Sequence, residues 1–319
     1  MRRYRFLLTC PLLLAASCST AGTVAYWRFE DGAADTDVVH VAGDNAGNTY
    51  SADITDVSGN GNDLSAWNTG GFAGYGYRSD VPASVVPATG ASNGLSVQNT
   101  GGAPGMFTGP TGIQSIAPAA FTVEASFKLE NGSFRTIVGR DSQGAATIDT
   151  NLAGLYLQMV PGNALAIKFA DQDGFWHEAV SPAGAFTTWD ATSQTPADAD
   201  WYHAAGVSDG STLSLYVANA TAGSGYQLLA QTDLLASGST NTALTPGMGD
   251  GGDWDAGNWT VGRGMYGGGH GDRAYGFIDE VRISDSALSP SELLWVPEPG
   301  TGVIAAIGMS LIGIYRRGW

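Results

Sequence analysis

The stretch FTVEASFKLE, Phe121 to Glu130, alternates without a break: Phe121, Val123, Ala125, Phe127 and Leu129 face one way, Thr122, Glu124, Ser126, Lys128 and Glu130 the other. A period of two marks a strand with one buried face. LYLQMV (Leu155 to Val160), the turn residues Pro161-Gly162-Asn163 and ALAIKF (Ala164 to Phe169) predict a hairpin. Leu213, Leu215 and Val217 alternate in TLSLYVA, and YQLLAQT follows a turn at Gly223 to Gly225. YGFIDEVRIS places Phe277, Asp279, Val281 and Ile283 on one face. No amphipathic helix of useful length falls between Gly22 and Ala287, and only Ser289 to Leu294, with Pro290 at its first position, reads as a capped helical turn. Closely spaced strands joined by Gly-rich turns predict an all-β fold, a two-sheet antiparallel sandwich.

Composition strengthens that reading. Glycine supplies 46 of 319 residues and charged residues only 14%, which argues against helical bundles and for tight turns. The length suits one large domain or two small ones. Between Gly22 and Trp295, 29 acidic residues face nine basic ones, a balance that repels nucleic acid and anionic lipid and leaves divalent cations as natural counter-ions. The same acidity also serves plain solubility.

The two ends differ from the body. MRRYRFLLTCPLLLAASCSTAG has three arginines, an apolar run from Phe6 to Ala16, and the small-x-small pattern Ser19-Thr20-Ala21, the layout of a secretory signal peptide over residues 1–21. A second reading is a loose lipobox at Leu14 to Cys18. Cleavage after Ala21 removes Cys10 and Cys18, the only cysteines, and with them disulfides, thiolate zinc sites and cysteine nucleophiles. At the other end, Pro297-Glu298-Pro299 precedes an apolar run from Gly302 to Tyr315, and Arg316-Arg317 follow it. That run is shorter than the ~20 residues of a comfortable membrane span. The segment 296–319 resembles the PEP-CTERM sorting signal of bacteria that make exopolysaccharide. The resemblance implies export and transient anchoring in the inner membrane by a C-terminal helix. It also implies processing by a sorting protease near Pro297 to Pro299, and a final place at the cell surface or in the extracellular matrix.

The ordered segments GTVAYWRFEDG, DVSGNGNDL, FTVEASFKLENGSFRTIVGRD, WYHAAGVSDGSTLSLYVA, WTVGRG and YGFIDEVRISDSALSPSEL together resemble the laminin-G-like, concanavalin A-like jelly-roll domains. The resemblance covers the domain expected over residues 22–295, and implies two curved antiparallel sheets with the N- and C-terminal strands as neighbours. The Gly/Pro/Ser-rich stretch from Ala73 to Gly112 stands outside it and reads as long loops or an inserted edge. In that family the Asp of the closing strand often helps hold a structural Ca²⁺ with an Asp-x-Ser-Gly-Asn-Gly-Asn segment, which implies Asp56, Asn60, Asn62 and Asp279 as oxygen ligands here. On its own pattern Asp279 faces an apolar side, where a carboxylate needs a partner or a metal. The alternative is that it accepts backbone N–H groups and that DVSGNGND is only a turn.

Aromatic rings flanked by Asp and Asn suit sugars, whose apolar face stacks on the ring while the hydroxyls bond to carboxylates and amides. Trp254 and Trp259 in GDGGDWDAGNW, then Tyr266, and Trp176 with His177 are the ligand-binding candidates, Trp189 could serve likewise, and Trp201 reads as core. A calcium loop starting at Asp253 fails at Gly257 and Gly264. Catalysis has little support: no Glu-x-Asp-x-x-Glu strand motif occurs, and His40, His177, His203 and His270 lack metal-ligand spacing. The expectation is a non-enzymatic module that binds glycan, exopolysaccharide or a surface partner, without nucleic acid. The alternative, a polysaccharide hydrolase or lyase, needs two carboxylates in one cleft; a purely structural matrix component is the third reading.

Overall fold

The computed structural model describes residues 22–40, 50–67, 74–109, 112–141, 152–190, 195–246, 257–267 and 269–296. The predicted signal peptide, Trp254, and the sorting residues Pro297, Glu298, Pro299, Arg316 and Arg317 lie outside them. The strands of the first half are β1 (Thr23–Trp27), β2 (Leu64–Trp67), β3 (Tyr75–Arg78), β4 (Ser96–Asn99), β5 (Gly105–Thr108), β6 (Phe121–Leu129), β7 (Arg135–Asp141) and β8 (Ala153–Val160). Those of the second half are β9 (Ala164–Ala170), β10 (Trp176–Val180), β11 (Tyr202–Ser208), β12 (Thr212–Asn219), β13 (Gln227–Asp233), β14 (Trp259–Val261), β15 (Gly264–Tyr266), β16 (Gly269–Gly271) and β17 (Gly276–Ser284). One sheet runs β13-β12-β11-β6-β17-β4-β3, with β1 also paired to β17; the other runs β10-β9-β8-β7-β14-β5-β2. Every pairing between these strands is antiparallel, so the fold is the expected all-β, jelly-roll sandwich, with first and last strands adjacent.

The alternation in sequence explains which face is inside. Phe121, Val123, Ala125, Phe127 and Leu129 of β6 meet Leu155, Leu157, Met159, Leu165, Ile167 and Phe169 of the β8–β9 hairpin in one core between the sheets. Each of these side chains except Ala125 contributes roughly 1.5–3 kcal/mol by leaving water.

The strand β17 departs from strict alternation. Its register with β6 shifts between Asp279 and Arg282, and Glu280 there takes a left-handed φ of 47°. Such a bulge flips the facing of everything after it. Val281 and Ile283 join the main core with Ile278, whereas Phe277 packs outside it with Trp189, Trp201 and Trp295. Asp279 sits opposite Ser126, on the outer side of the sheet, so the predicted common face of Phe277, Asp279, Val281 and Ile283 is corrected. It is nonetheless fully buried, because chain segments cover that side.

Of the two readings of the stretch from Ala73 to Gly112, long loops or an inserted edge, its described residues fit the second in part. They hold β3 and β4 at one edge of the first sheet and β5 inside the second. Ser289 to Leu294 makes a capped turn: Glu292 N–H donates to the Ser289 carbonyl, and the Glu292 carboxylate accepts the Ser289 N–H (2.9 Å) and hydroxyl (2.7 Å).

One expectation is overturned. Helix among the described residues is limited to three 3-10 turns, and none is long and apolar enough to cross a membrane. The membrane-anchored surface placement rested on a C-terminal helix that the described structure does not contain, and it is withdrawn.

Candidate functional site

The outer face of the second sheet carries a groove of about 500 Å³ lined by side chains of β8, β9 and β10, with Tyr266 of β15, Phe134 and Asp272 beside them. The period of two builds its floor. In β10, His177 and Ala179 are buried while Trp176, Glu178 and Val180 are exposed. Pairing then lines up Tyr156, Lys168 and Glu178 across three neighbouring strands. Lys168 Nζ lies 3.2 Å from Glu178 Oε2, and Gln158 Nε2 donates to Thr136 Oγ1 at 3.2 Å.

One wall is the β15–β16 hairpin. The Tyr156 hydroxyl donates to the Met265 carbonyl at 2.7 Å and accepts the Ala153 N–H at 2.7 Å, which pins the hairpin to the sheet. Close approach there requires Gly264: a Cβ would stand 2.6 Å from Thr136 Oγ1 and 2.9 Å from Tyr156 Cε1. The hairpin lifts Tyr266 to 72% exposure, and Trp176 is 39% and Phe134 36% exposed. The Trp176 and Tyr156 ring centroids are 6.4 Å apart. Three apolar rings thus border a floor of amide, ammonium and carboxylate groups.

Two carboxylates enter this groove. Glu178 is largely exposed. Asp272 is half-buried; burial pushes its pKa above the usual carboxylate range, while the charges of Arg135 and Lys168 pull the other way.

The sequence candidates divide. Tyr266 and Trp176 both line the groove. Trp259 does not: it is fully buried in β14, its ring under the Arg140 guanidinium at 5.3 Å, because β14 is an interior strand between β7 and β5. Trp189 is buried too, and His177 turns inward to Asp171, Nε2 to Oδ2 2.8 Å. Trp201 is buried as expected, though in a cluster outside the main core. Phe134, Tyr156, Gln158, Lys168, Glu178 and Asp272 were missed. The outward-facing positions of β8 to β10 carry a usable signal, the polar half of the alternation.

The proposed calcium ligands are not brought onto one set of partners. The Asp56 carboxylate accepts the backbone N–H of Tyr26, Ser58 and Asn62, each at 2.9 Å, and the Ser58 hydroxyl at 2.8 Å. The amides of Asn60 and Asn62 donate to the carbonyls of Thr23 and Val24. These residues knit the turn to β1. Asp279 bonds elsewhere, accepting from Asn93 Nδ2 and from Glu280 N–H, both at 2.8 Å. Burial, helped by the charges of Glu280 and Glu30, pushes its pKa well above the carboxylate range. Asn93 Oδ1 beside it is buried and has no hydrogen-bond partner among the described residues. Among the described residues no group of three or more His, Cys, Asp or Glu is placed to hold a metal ion.

The fold and site define a two-sheet β-sandwich with an aromatic-bordered polar groove on one outer sheet face. No protein-family model matches the chain, and no curated protein matches it. Among solved structures, domain 4 of AbnA, a GH43 extracellular arabinanase from Geobacillus stearothermophilus in complex with arabinotriose, is similar over 85% of this chain and 96% of its own, at 16% identity and a TM-score of 0.47. The binding domain of botulinum neurotoxin serotype G is similar over 85% of this chain and 49% of its own, at 9% identity and a TM-score of 0.49. The Ruminococcus gnavus IT-sialidase CBM40 bound to alpha2,3 sialyllactose covers 57% of this chain and 83% of its own, at 15% identity and a TM-score of 0.38.

Proposed function

We propose that the protein is a non-enzymatic, laminin-G-like binding module that holds a glycan in the groove of the second sheet. The observation that carries this reading is the pairing of exposed Trp176 and Tyr266 with the polar row of Gln158, Lys168 and Glu178 in one groove. Apolar rings exposed to water give up hydration when a pyranose face covers them, and the polar row fixes the hydroxyls. Its volume falls within the ~300–1,000 Å³ of small-ligand sites.

The test is isothermal titration of the full chain against cello-, laminari- and chito-oligosaccharides, with Trp176→Ala and Tyr266→Ala as variants. One series binds, and each variant weakens it about tenfold, near 1.4 kcal/mol. Wild-type binding that both variants retain removes the groove from the reading.

A second reading, hydrolysis, is favoured by one observation: two carboxylates, Glu178 and Asp272, line the same groove, and burial pushes the Asp272 pKa above the usual carboxylate range. Acid-base cleavage of a glycosidic bond requires two carboxyl groups in one cleft whose environments set their pKa values apart. Release of reducing ends by wild type, lost in Asp272→Asn, replaces the binding reading with this one.

We propose further that a structural Ca²⁺ sits at Asp279 rather than at the Asp56 turn. The Asn93 Oδ1 and the Asp279 carboxylate are hard oxygen donors of the kind Ca²⁺ takes.

A further inference from the structure

A second cavity, of about 490 Å³, opens beside Gln98, Thr100, Glu130, Trp189 and Tyr275. It shares no lining residue with the groove, yet the two are built on the same pair of chain segments. Phe134 and Asp272 line the groove; Glu130 and Tyr275 line the second cavity. The segments run side by side, tied by Glu130 N–H to the Tyr275 carbonyl (3.0 Å) and Thr136 N–H to the Asp272 carbonyl (2.7 Å).

Arg135, on the first of these segments, reaches across to the second. Its Nη2 donates to Glu130 Oε1 at 2.8 Å and its guanidinium lies 5.0 Å from the centre of the Tyr275 ring. Asp272 and Tyr275, one lining each cavity, are three residues apart, so their Cα atoms lie at most roughly 10 Å from each other. Both Arg135 bonds fall on Glu130 Oε1, which leaves Oε2 for a ligand hydroxyl. Gln98 uses its oxygen on Arg78 Nε at 2.8 Å, which leaves its amide N–H groups as donors. An aromatic ring, a carboxylate and an amide around one cavity repeat the chemistry of the groove.

Resting on the glycan reading of the groove, we propose that this cavity is a second sugar subsite, reached from the first along these two segments, and that the ligand is an extended polysaccharide chain rather than one terminal sugar. The ring and amide groups take neutral sugar units. Occupying two linked subsites makes the second contact intramolecular, so affinity climbs with chain length until both are filled.

The experiment titrates the full chain with each oligosaccharide series from dimer to octamer and reads the ratio of octamer to dimer affinity. Wild type gives a ratio of about tenfold or more. Tyr275→Ala and the shape-conserving Glu130→Gln bring that ratio toward one, whereas Trp176→Ala weakens short and long chains together. Thermal unfolding confirms that each variant is folded. A wild-type ratio near one, with dimer still bound, overturns the second subsite and leaves the groove reading standing. A length gain that both variants keep overturns it as well, by placing the extra contact elsewhere. Failure of every series to bind strikes the groove reading itself, and this inference with it.

Discussion

Asp279 is a fully buried carboxylate that, among the described residues, accepts hydrogen bonds from one side-chain amide and one backbone N–H, with two like charges nearby. Because its folded pKa is raised above the ordinary value of about 3.9, its cost to stability is absent below that value and grows as pH rises through the folded pKa. At pH 7 without Ca²⁺, Asp279→Asn therefore raises the unfolding temperature. Added Ca²⁺ reverses the order: wild type gains about 2.7 kcal/mol at a hundred times the dissociation constant, and the variant gains none. Thermal melts in Ca²⁺ and in chelator check this, and a wild-type melt indifferent to Ca²⁺ removes the cation. The need for a partner at Asp279 was legible from its residue type in an apolar strand. The identity of that partner was not, since Asn93 is 186 residues away and comes from a loop with no pattern of its own. Trp259 and Trp176 make the same point in reverse, because a tryptophan's surroundings depend on the strand's place in the sheet rather than on local sequence.

Among the elements, the segment from Asp285 to Trp295 lies over the outer side of β6 and β11. Leu293 packs on Ala205 and Val207, and the Trp295 ring stacks on His203 with centroids 6.3 Å apart. Beneath it, Glu124 on β6 is completely buried and holds His203 Nε2 at 3.1 Å, the Leu294 N–H at 2.8 Å and the Arg282 guanidinium. Burial alone would raise the Glu124 pKa, but the His203 hydrogen bond and the Arg282 charge outweigh it and hold the carboxyl below its usual range. A depressed carboxylate stabilises the fold above its unfolded pKa, about 4.3, and that contribution fades as pH falls through the folded value. Urea unfolding of Glu124→Gln consequently shows a weaker acid dependence than wild type below about pH 4.3. Glu124→Ala, which strands Arg282, costs about 3–5 kcal/mol. Equal acid dependence in Glu124→Gln and wild type would assign the acid response to other carboxylates. The strands themselves were legible wherever alternation ran for six residues or more, as in β6, β8 and β9. β3, β4 and β5 were not, being four residues each, and the β17 bulge was invisible because Glu280 is not a residue that announces a positive φ.

For the whole molecule, the sandwich was legible from period-two strands and glycine-rich turns, but the groove was not. It draws on β8 to β10, on a hairpin nearly a hundred residues further along, and on Phe134, which only the sheet order brings together. That assembly also sets which glycans fit. The chain carries a formal charge of −16, and the groove adds Glu178 and Asp272 against one Lys168. A polyuronate must bring its carboxylates into that field at a Coulomb cost, whereas a neutral glucan brings none. Screening separates the two cases, since the Debye length shrinks from about 30 Å at 0.01 M salt to about 10 Å at 0.1 M. Neutral oligosaccharide affinity therefore stays level across that range. Alginate shows no binding at the low end and at most weak binding at the high end. The decisive measurement is retention on immobilised alginate and immobilised β-glucan at both salt concentrations. Retention on alginate that is strong in low salt and lost in high salt would require a basic surface, and would place recognition outside this groove.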